Sequence, residues 1–301
     1  MTVVHAAEGQ PATGRDGEAA DRKVAFVLGG GGHLGACQVG MLQALLEVGI
    51  EPQLILGTSV GAVNGAIIAA DPTIATVERL SRQWCDLEKA GVFGGSVLGR
   101  LGTLARSRTH AHAPDELRKM LEGALSVRLI EELQVPFECV AASIERAAEH
   151  WFTSGPVVDA VVASASVPGL LPPARIAGEH FLDGGIVNSI PVGRAVAMGA
   201  ETVYVLQVGR VEHPLEPPAW PWEVGLVAFE IARRHRFTTD MAALPDRVDA
   251  HVLPTGVPAA APAHKDFSQL RYRDYSRVSE RIDRACEATR RYLDEQVEGG
   301  R

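Results

Sequence analysis

Three short segments of this chain could do chemistry. The first is Gly57-Thr58-Ser59-Val60-Gly61, a G-x-S-x-G pattern. A serine between a strand end and a helix start needs a sharp turn, and glycines two residues to either side let the backbones close on it. The turn lifts the hydroxyl above a sheet and sets it at a helix N-terminus, where peptide dipoles favour developing negative charge. That is the setting of an acyl-transfer nucleophile. The competing reading is a serine that only caps the helix. An apolar run before it, Leu54–Leu56, and the small residues Ala62, Gly65 and Ala66 after it favour the nucleophile.

The second segment is Gly29-Gly30-Gly31-Gly32-His33-Leu34-Gly35. Four successive glycines expose backbone N–H groups with no side chain in the way, and an oxyanion hole needs such donors about 3 Å from the forming alkoxide. Gly30, Gly32 and Gly35 also match the dinucleotide fingerprint G-x-G-x-x-G. That rival reading needs an acidic residue at the end of the following strand to hold a ribose. Here the strand end carries Gly57, Thr58 and Ser59, while Glu51 lies before the strand, at the wrong end. No dinucleotide is therefore expected.

The third segment is Asp183-Gly184-Gly185. A serine hydroxyl is a poor nucleophile until a base takes its proton. None of the ten histidines falls in a context that ties it to Ser59; His33 reads as a side chain lining the glycine loop. A buried carboxylate with a raised pKa can serve as the base. Asp-Gly-Gly taken alone reads equally well as an ordinary turn.

The surrounding pattern supplies elements to hold these segments. Val24–Leu28 is a short apolar run suited to a buried strand, and from Leu34 a helical pattern runs to Gly49. With Leu54–Leu56 this makes a βαβ unit with parallel strands. Helices are predicted from just after Ser59 to before Pro72, over Thr73–Lys89, from Pro156 through Ser166, over Pro191–Met198, and at about 223–243 and 267–294. Strands are predicted at Phe137–Ile144, Thr202–Val208 and Val248–Leu253. Alternating strands and helices mean an α/β sheet covered on both faces. The C-terminal helices should pack back on that sheet.

Composition limits the function classes. Across 301 residues the charge is −8, which argues against a nucleic-acid binder. Cys37, Cys85, Cys139 and Cys286 lie far apart without metal-ligand spacing, so free thiols are expected and no metal. Residues 1–22 read as a disordered tail without a signal-peptide apolar core. No stretch approaches the ~18–20 apolar residues of a membrane span. A cytoplasmic protein is expected, with possible peripheral contact at a membrane. Two regions could make that contact: Gly91–Ala113, with Arg100, Arg106 and Arg108 among leucines, and Trp220 and Trp222 among prolines. A solvated loop and a packed loop are the plainer readings of each.

Taken together, Gly29–Gly35, Gly57–Gly61 and Asp183–Gly185 resemble the patatin-like phospholipase family, in order and spacing. So do Ala163-Ser164-Ala165-Ser166-Val167-Pro168-Gly169-Leu170-Leu171-Pro172-Pro173 and Asn188-Ser189-Ile190-Pro191. The resemblance covers about 23–210 and leaves 211–301 as a helical extension packed on that core. It implies a three-layer α/β/α sandwich with a mainly parallel central sheet, and a lipid acyl hydrolase without a cofactor. It further implies a Ser59–Asp183 dyad with no histidine and an oxyanion hole at Gly30, Gly31 and Gly32, with Gly35, Gly57, Gly61, Gly184 and Gly185 supporting the motifs. One position departs: a basic residue is usual before the last glycine of the first motif, and here it is Leu34. Two other readings stay open. One is a triad α/β-hydrolase, which would need His251 as base; the other is a non-catalytic lipid-binding protein on a hydrolase fold.

Overall fold

The computed structural model describes residues 22–90, 115–208, 215, 217–218, 220–257 and 277–299. Residues 1–21 of the tail expected over 1–22, the loop Gly91–Ala113 and the start of the helix expected at 267 lie outside the described residues, as does the side chain of Trp222.

One mixed sheet of eight strands organises these residues. The strands are β1 (Val24–Leu28), β2 (Leu54–Thr58), β3 (Phe137–Ser143), β4 (Ala148–Phe152), β5 (Ala174–Ile176), β6 (Glu179–Asp183), β7 (Thr202–Leu206) and β8 (Asp249–Val252). Their order is β5-β6-β3-β2-β1-β7-β8, with β4 also paired to β3. The five strands β3, β2, β1, β7 and β8 are parallel, and β4, β5 and β6 join antiparallel. The helices are α1 (Ala36–Glu47), α2 (Val60–Ala70), α3 (Ile74–Ala90), α4 (Asp115–Ala124), α5 (Val157–Ser164), α6 (Val192–Ala197), α7 (Pro221–Ala242) and α8 (Val278–Gly299).

Parallel strands must be covered on both faces, and the alternation along them shows how. Phe26, Leu28 and Ile55 face one core, shared with α1, α2, α3, α5 and α8. Ala25, Val27, Leu54 and Leu56 face the other, closed by Ile190, Val192, Ala195 and Phe237 from α6, α7 and the segment before α6. This is the three-layer sandwich expected. Helix α8 lies directly on α1, where a Cβ on Gly40 would sit 2.1 Å from the Ile282 carbonyl oxygen.

The predicted strands and helices at 24–90 and 137–206 form within a few residues of their expected ends. Helix α4 and the strands β4 and β5 have no counterpart in the sequence reading. The five residues of β4, Ala-Glu-His-Trp-Phe, carry too little period-2 alternation, and β5 has only three residues. The four cysteines are free, with Cys37, Cys139 and Cys286 buried. Among the described residues no His, Cys, Asp and Glu group could hold a metal ion, and no helix is long and apolar enough to cross a membrane.

Candidate active site

The sheet register brings Ser59 and Asp183 together. Thr58, the last residue of β2, is in register with Val140 on β3, and Asp183, the last residue of β6, is in register with the next residue, Ala141. Strand β3 is thus a shared ruler on which a parallel and an antiparallel partner end at adjacent positions. The result is a hydrogen bond from Ser59 Oγ to Asp183 Oδ2 at 2.5 Å. Both residues are buried.

Ser59 stands on the predicted elbow. Its φ of 55° and ψ of −123° fall where side-chain-bearing residues are rare, a strain typical of functional turns. Close packing maintains it. A Cβ on Gly61 would lie 2.1 Å from the Leu28 carbonyl oxygen, and one on Gly57 would lie 2.5 Å from Ala62 Cα. Both positions therefore require glycine by approach of backbone to backbone. The Ser59 N–H donates to Ser164 Oγ at 2.9 Å, and Thr58 Oγ1 donates to the Asn188 carbonyl at 2.9 Å.

Asp183 is held just as closely. Its N–H donates to the Ser166 carbonyl at 2.9 Å, and its Oδ1 accepts the Gly185 N–H at 2.7 Å. Burial pushes its pKa from 3.8 up to about 6, against the pull of the two hydrogen bonds from Ser59 and Gly185. Such a carboxyl is ionised at neutral pH yet basic enough to take a proton. Gly184 packs so tightly on β3 that a Cβ would lie 2.1 Å from the Val140 carbonyl oxygen, and a Cβ on Gly185 would lie 3.1 Å from Phe229 Cζ on α7.

The glycine run passes beside Ser59: a Cβ on Gly30 would be 3.3 Å from Ser59 Cβ. Its backbone groups divide into spent and unspent ones. The Gly29 N–H donates to the Leu206 carbonyl at 3.2 Å, and the Gly30 N–H donates to the Ser189 carbonyl at 3.0 Å. Gly30 is therefore corrected as an oxyanion donor: its N–H is already engaged, and its part is to bring bare backbone against the serine. Among the described residues, the Gly31 and Gly32 N–H groups meet no protein acceptor. Gly31 also lies against Val208, where a Cβ would be 2.1 Å from Cγ2, and Gly35 lies against Val60. The 3-10 turn at Gly32–Gly35 carries buried His33. Leu34 packs on the larger core.

Side chains outside the three motifs fix the run in place. Gln38 on α1 donates to the Gly29 carbonyl at 2.8 Å and to the Leu206 carbonyl at 2.9 Å. Asn64 on α2 donates to the Gly35 carbonyl at 3.0 Å and to Gln38 Oε1 at 2.8 Å, and accepts from Trp84 Nε1 at 3.1 Å. Gln38 and Asn64 are wholly buried polar residues in apolar helices. That contrast, readable in the sequence, was the available signal for them. Arg233 on α7 reaches the Gly30 carbonyl at 3.3 Å, and no motif marks it.

His251, the base a triad would need, is not brought to the site. It lies on β8, three strands from β2, or about 14 Å at the usual strand spacing. Its Nδ1 is 3.0 Å from Tyr292 Oη, its Nε2 is 3.2 Å from Asp249 Oδ2, and its ring stacks on Tyr204.

Comparison with known proteins bears on the family of the chain. The chain is 30% identical over 201 residues to lysophospholipase nte1 of Aspergillus terreus, covering 64% of this chain and 12% of that protein. It is 32% identical over 188 residues to patatin-like phospholipase domain-containing protein 7 of Rattus norvegicus, covering 62% and 14%. The chain thus spans less than a sixth of either relative. Among solved structures, VipD from Legionella pneumophila aligns over 91% of this chain and 67% of that one, with a TM-score of 0.46 and 15% identity. The patatin-like phospholipase family model matches residues 26–196, more than half of the 301 residues, and the chain belongs to that family.

Proposed function

We propose that this protein hydrolyses acyl esters of lipids through Ser59 and Asp183, with the Gly31 and Gly32 N–H groups as oxyanion donors. The observation that carries the reading is the 2.5 Å hydrogen bond between a serine on a strained elbow and a buried carboxylate.

The reaction follows from that geometry in two halves. Ser59 Oγ attacks the ester carbonyl carbon as its proton passes to Asp183 Oδ2. The carbonyl oxygen becomes an alkoxide facing the two N–H groups, which gain most as the charge develops. The tetrahedral species collapses, the C–O bond to the alcohol breaks, and Asp183 returns the proton to the leaving oxygen. An acyl-Ser59 ester remains. Water then attacks that ester, giving a proton to Asp183; the Ser59–acyl bond breaks, the proton returns to Ser59 Oγ, and the fatty acid leaves. One base serves both halves, so no histidine is needed.

The names of the relatives point to the substrate class. A lysophospholipase and a patatin-like phospholipase domain protein suggest a glycerophospholipid or lysophospholipid ester. The test is a panel of lysophospholipids, diacyl phospholipids and simple esters with wild type, Ser59→Ala and Asp183→Asn, alongside labelling by a fluorophosphonate. The reading requires labelling of wild type alone and turnover lost in both variants. Equal labelling of Ser59→Ala would refute it.

A further inference from the structure

We infer that Arg233 is the positioning residue of the oxyanion loop, acting through the Gly30 carbonyl to aim the Gly31 N–H. This rests on the reading of Gly31 as an oxyanion donor.

Arg233 and Glu230 form a pair on α7 with side chains only 5% and 6% exposed. The guanidinium donates from one terminal nitrogen to Gly30 O at 3.3 Å and from the other to Glu230 Oε2 at 3.1 Å. Its Nε is buried and meets no acceptor among the described residues. Folding stability alone accounts poorly for this arrangement. A buried ion pair seldom repays its desolvation against an apolar packing, and an orphaned buried donor adds a further cost. What the pair does achieve is to place a cation on one peptide group of the glycine run.

That peptide links Gly30 to Gly31. It is trans, as is every peptide bond among the described residues. In a trans peptide the carbonyl and the N–H point in opposite directions. Fixing Gly30 O on the Arg233 side therefore fixes the Gly31 N–H on the other. A charge-assisted bond at the carbonyl also polarises the peptide and makes its N–H a stronger donor. The same peptide joins two residues without side chains, so its plane could flip at little cost; Gly30 O on Arg233 holds it, while the Gly30 N–H on Ser189 anchors the peptide before it. Helix α7 also seats Phe229 against Gly185, so one helix bears on both the oxyanion loop and the base.

The test compares Arg233→Gln and Arg233→Lys with Arg234→Gln, which removes a neighbouring guanidinium from the same Glu230 but leaves Gly30 bonded. Each is assayed with a neutral aryl ester and with an alkyl trifluoromethyl ketone, which forms a tetrahedral oxyanion on the serine. In Arg233→Gln, kcat should fall roughly 10- to 100-fold, below the loss from deleting an oxyanion donor outright. KM should stay within twofold, and the ketone should weaken in step with kcat/KM. Arg233→Lys should recover part of both, and Arg234→Gln should match wild type. If Arg233→Gln does not fold, Arg233→Lys decides by the same parallel between kcat and ketone affinity. Wild-type kcat in Arg233→Gln, a change confined to KM, or an equal loss in Arg234→Gln would each overturn the inference. Ser59→Ala is run beside them: turnover persisting there refutes the dyad reading itself, whatever Arg233 does.

Discussion

Replacing Asp183 by Asn should abolish activity and, at alkaline pH, stabilise the fold. The carboxyl is 4% exposed and its pKa rises from 3.8 to about 6 because burial penalises the charge. The sign follows from which state binds the proton more tightly. The folded state does, so stability from this group is fully present below pH ~4 and is lost as pH rises through about 6. A shift of about 2 pKa units corresponds to about 3 kcal/mol, carried as a deficit by wild type at pH 8. An amide carries no such deficit. It keeps one acceptor for the Gly185 N–H and turns its NH2 toward Ser59 Oγ, at a cost of about 1 kcal/mol for the exchanged hydrogen bond. The expected balance at pH 8 is a gain of about 2 kcal/mol, or roughly 3 °C in Tm for a chain of 301 residues. At pH 4.5 the gain should vanish. Urea unfolding followed by tryptophan fluorescence at pH 4.5, 6 and 8 measures the difference with all other titrating groups held in common. Turnover should fall about 100- to 10,000-fold with the base removed. A variant destabilised by the same amount at every pH would refute the argument that a buried, penalised carboxylate occupies this position.

Four further outcomes are expected. On a neutral ester, kcat/KM should climb through pH 6 and level off above about pH 7, as Asp183 loses its proton; a flat profile between pH 5 and 8 contradicts its role as base. Ser164→Ala leaves the buried Ser59 N–H without its acceptor, and should cost about 1–3 kcal/mol in urea unfolding together with a drop in kcat as the elbow relaxes. Unchanged values for both would remove Ser164 from the elbow's support. Gly61→Ala forces a methyl against the Leu28 carbonyl and should cost about 3 kcal/mol or more. Gly123→Ala is its counterpart on α4, where a Cβ meets open space, and a thermal melt should show a gain of about 0.5–1 kcal/mol.

The legible part of this molecule is the part written in local pattern. The βαβ unit, the elbow and the Asp-Gly-Gly turn could be read because each depends on residues within a few positions of one another. Gly57 is a glycine for a local reason, its close approach to Ala62, whereas Gly61 is one because of the Leu28 carbonyl on the neighbouring strand. The spent N–H of Gly30 could not be read that way. Its acceptor is the carbonyl of Ser189, which any residue at that position would offer, so no side chain announces the bond. The same holds for the register on β3. That Thr58 and Asp183 end at adjacent rungs depends on how far β6 slides along β3, and a three-residue hairpin arm such as β5 leaves no alternation to reveal it. Arg233 was hidden for another reason. In Arg233-Arg234-His235-Arg236 all four side chains look like a solvated face, and only packing decides which one is buried.

The seating of β7 and α8 has a practical consequence for anyone who would excise this fold. The family match ends at residue 196, yet β1, which delivers the glycine run, lies between β2 and β7. A fragment cut at 196 would leave the whole β1 edge, Val24 to Leu28, with unpaired peptide groups, an invitation to edge-to-edge aggregation. It would also strip α8 from α1, baring Gly40 and the apolar surface that Ile282 and Leu293 cover. The unit that can be moved between proteins is therefore longer than the segment the family shares, and it closes only with the helix that ends at Gly299.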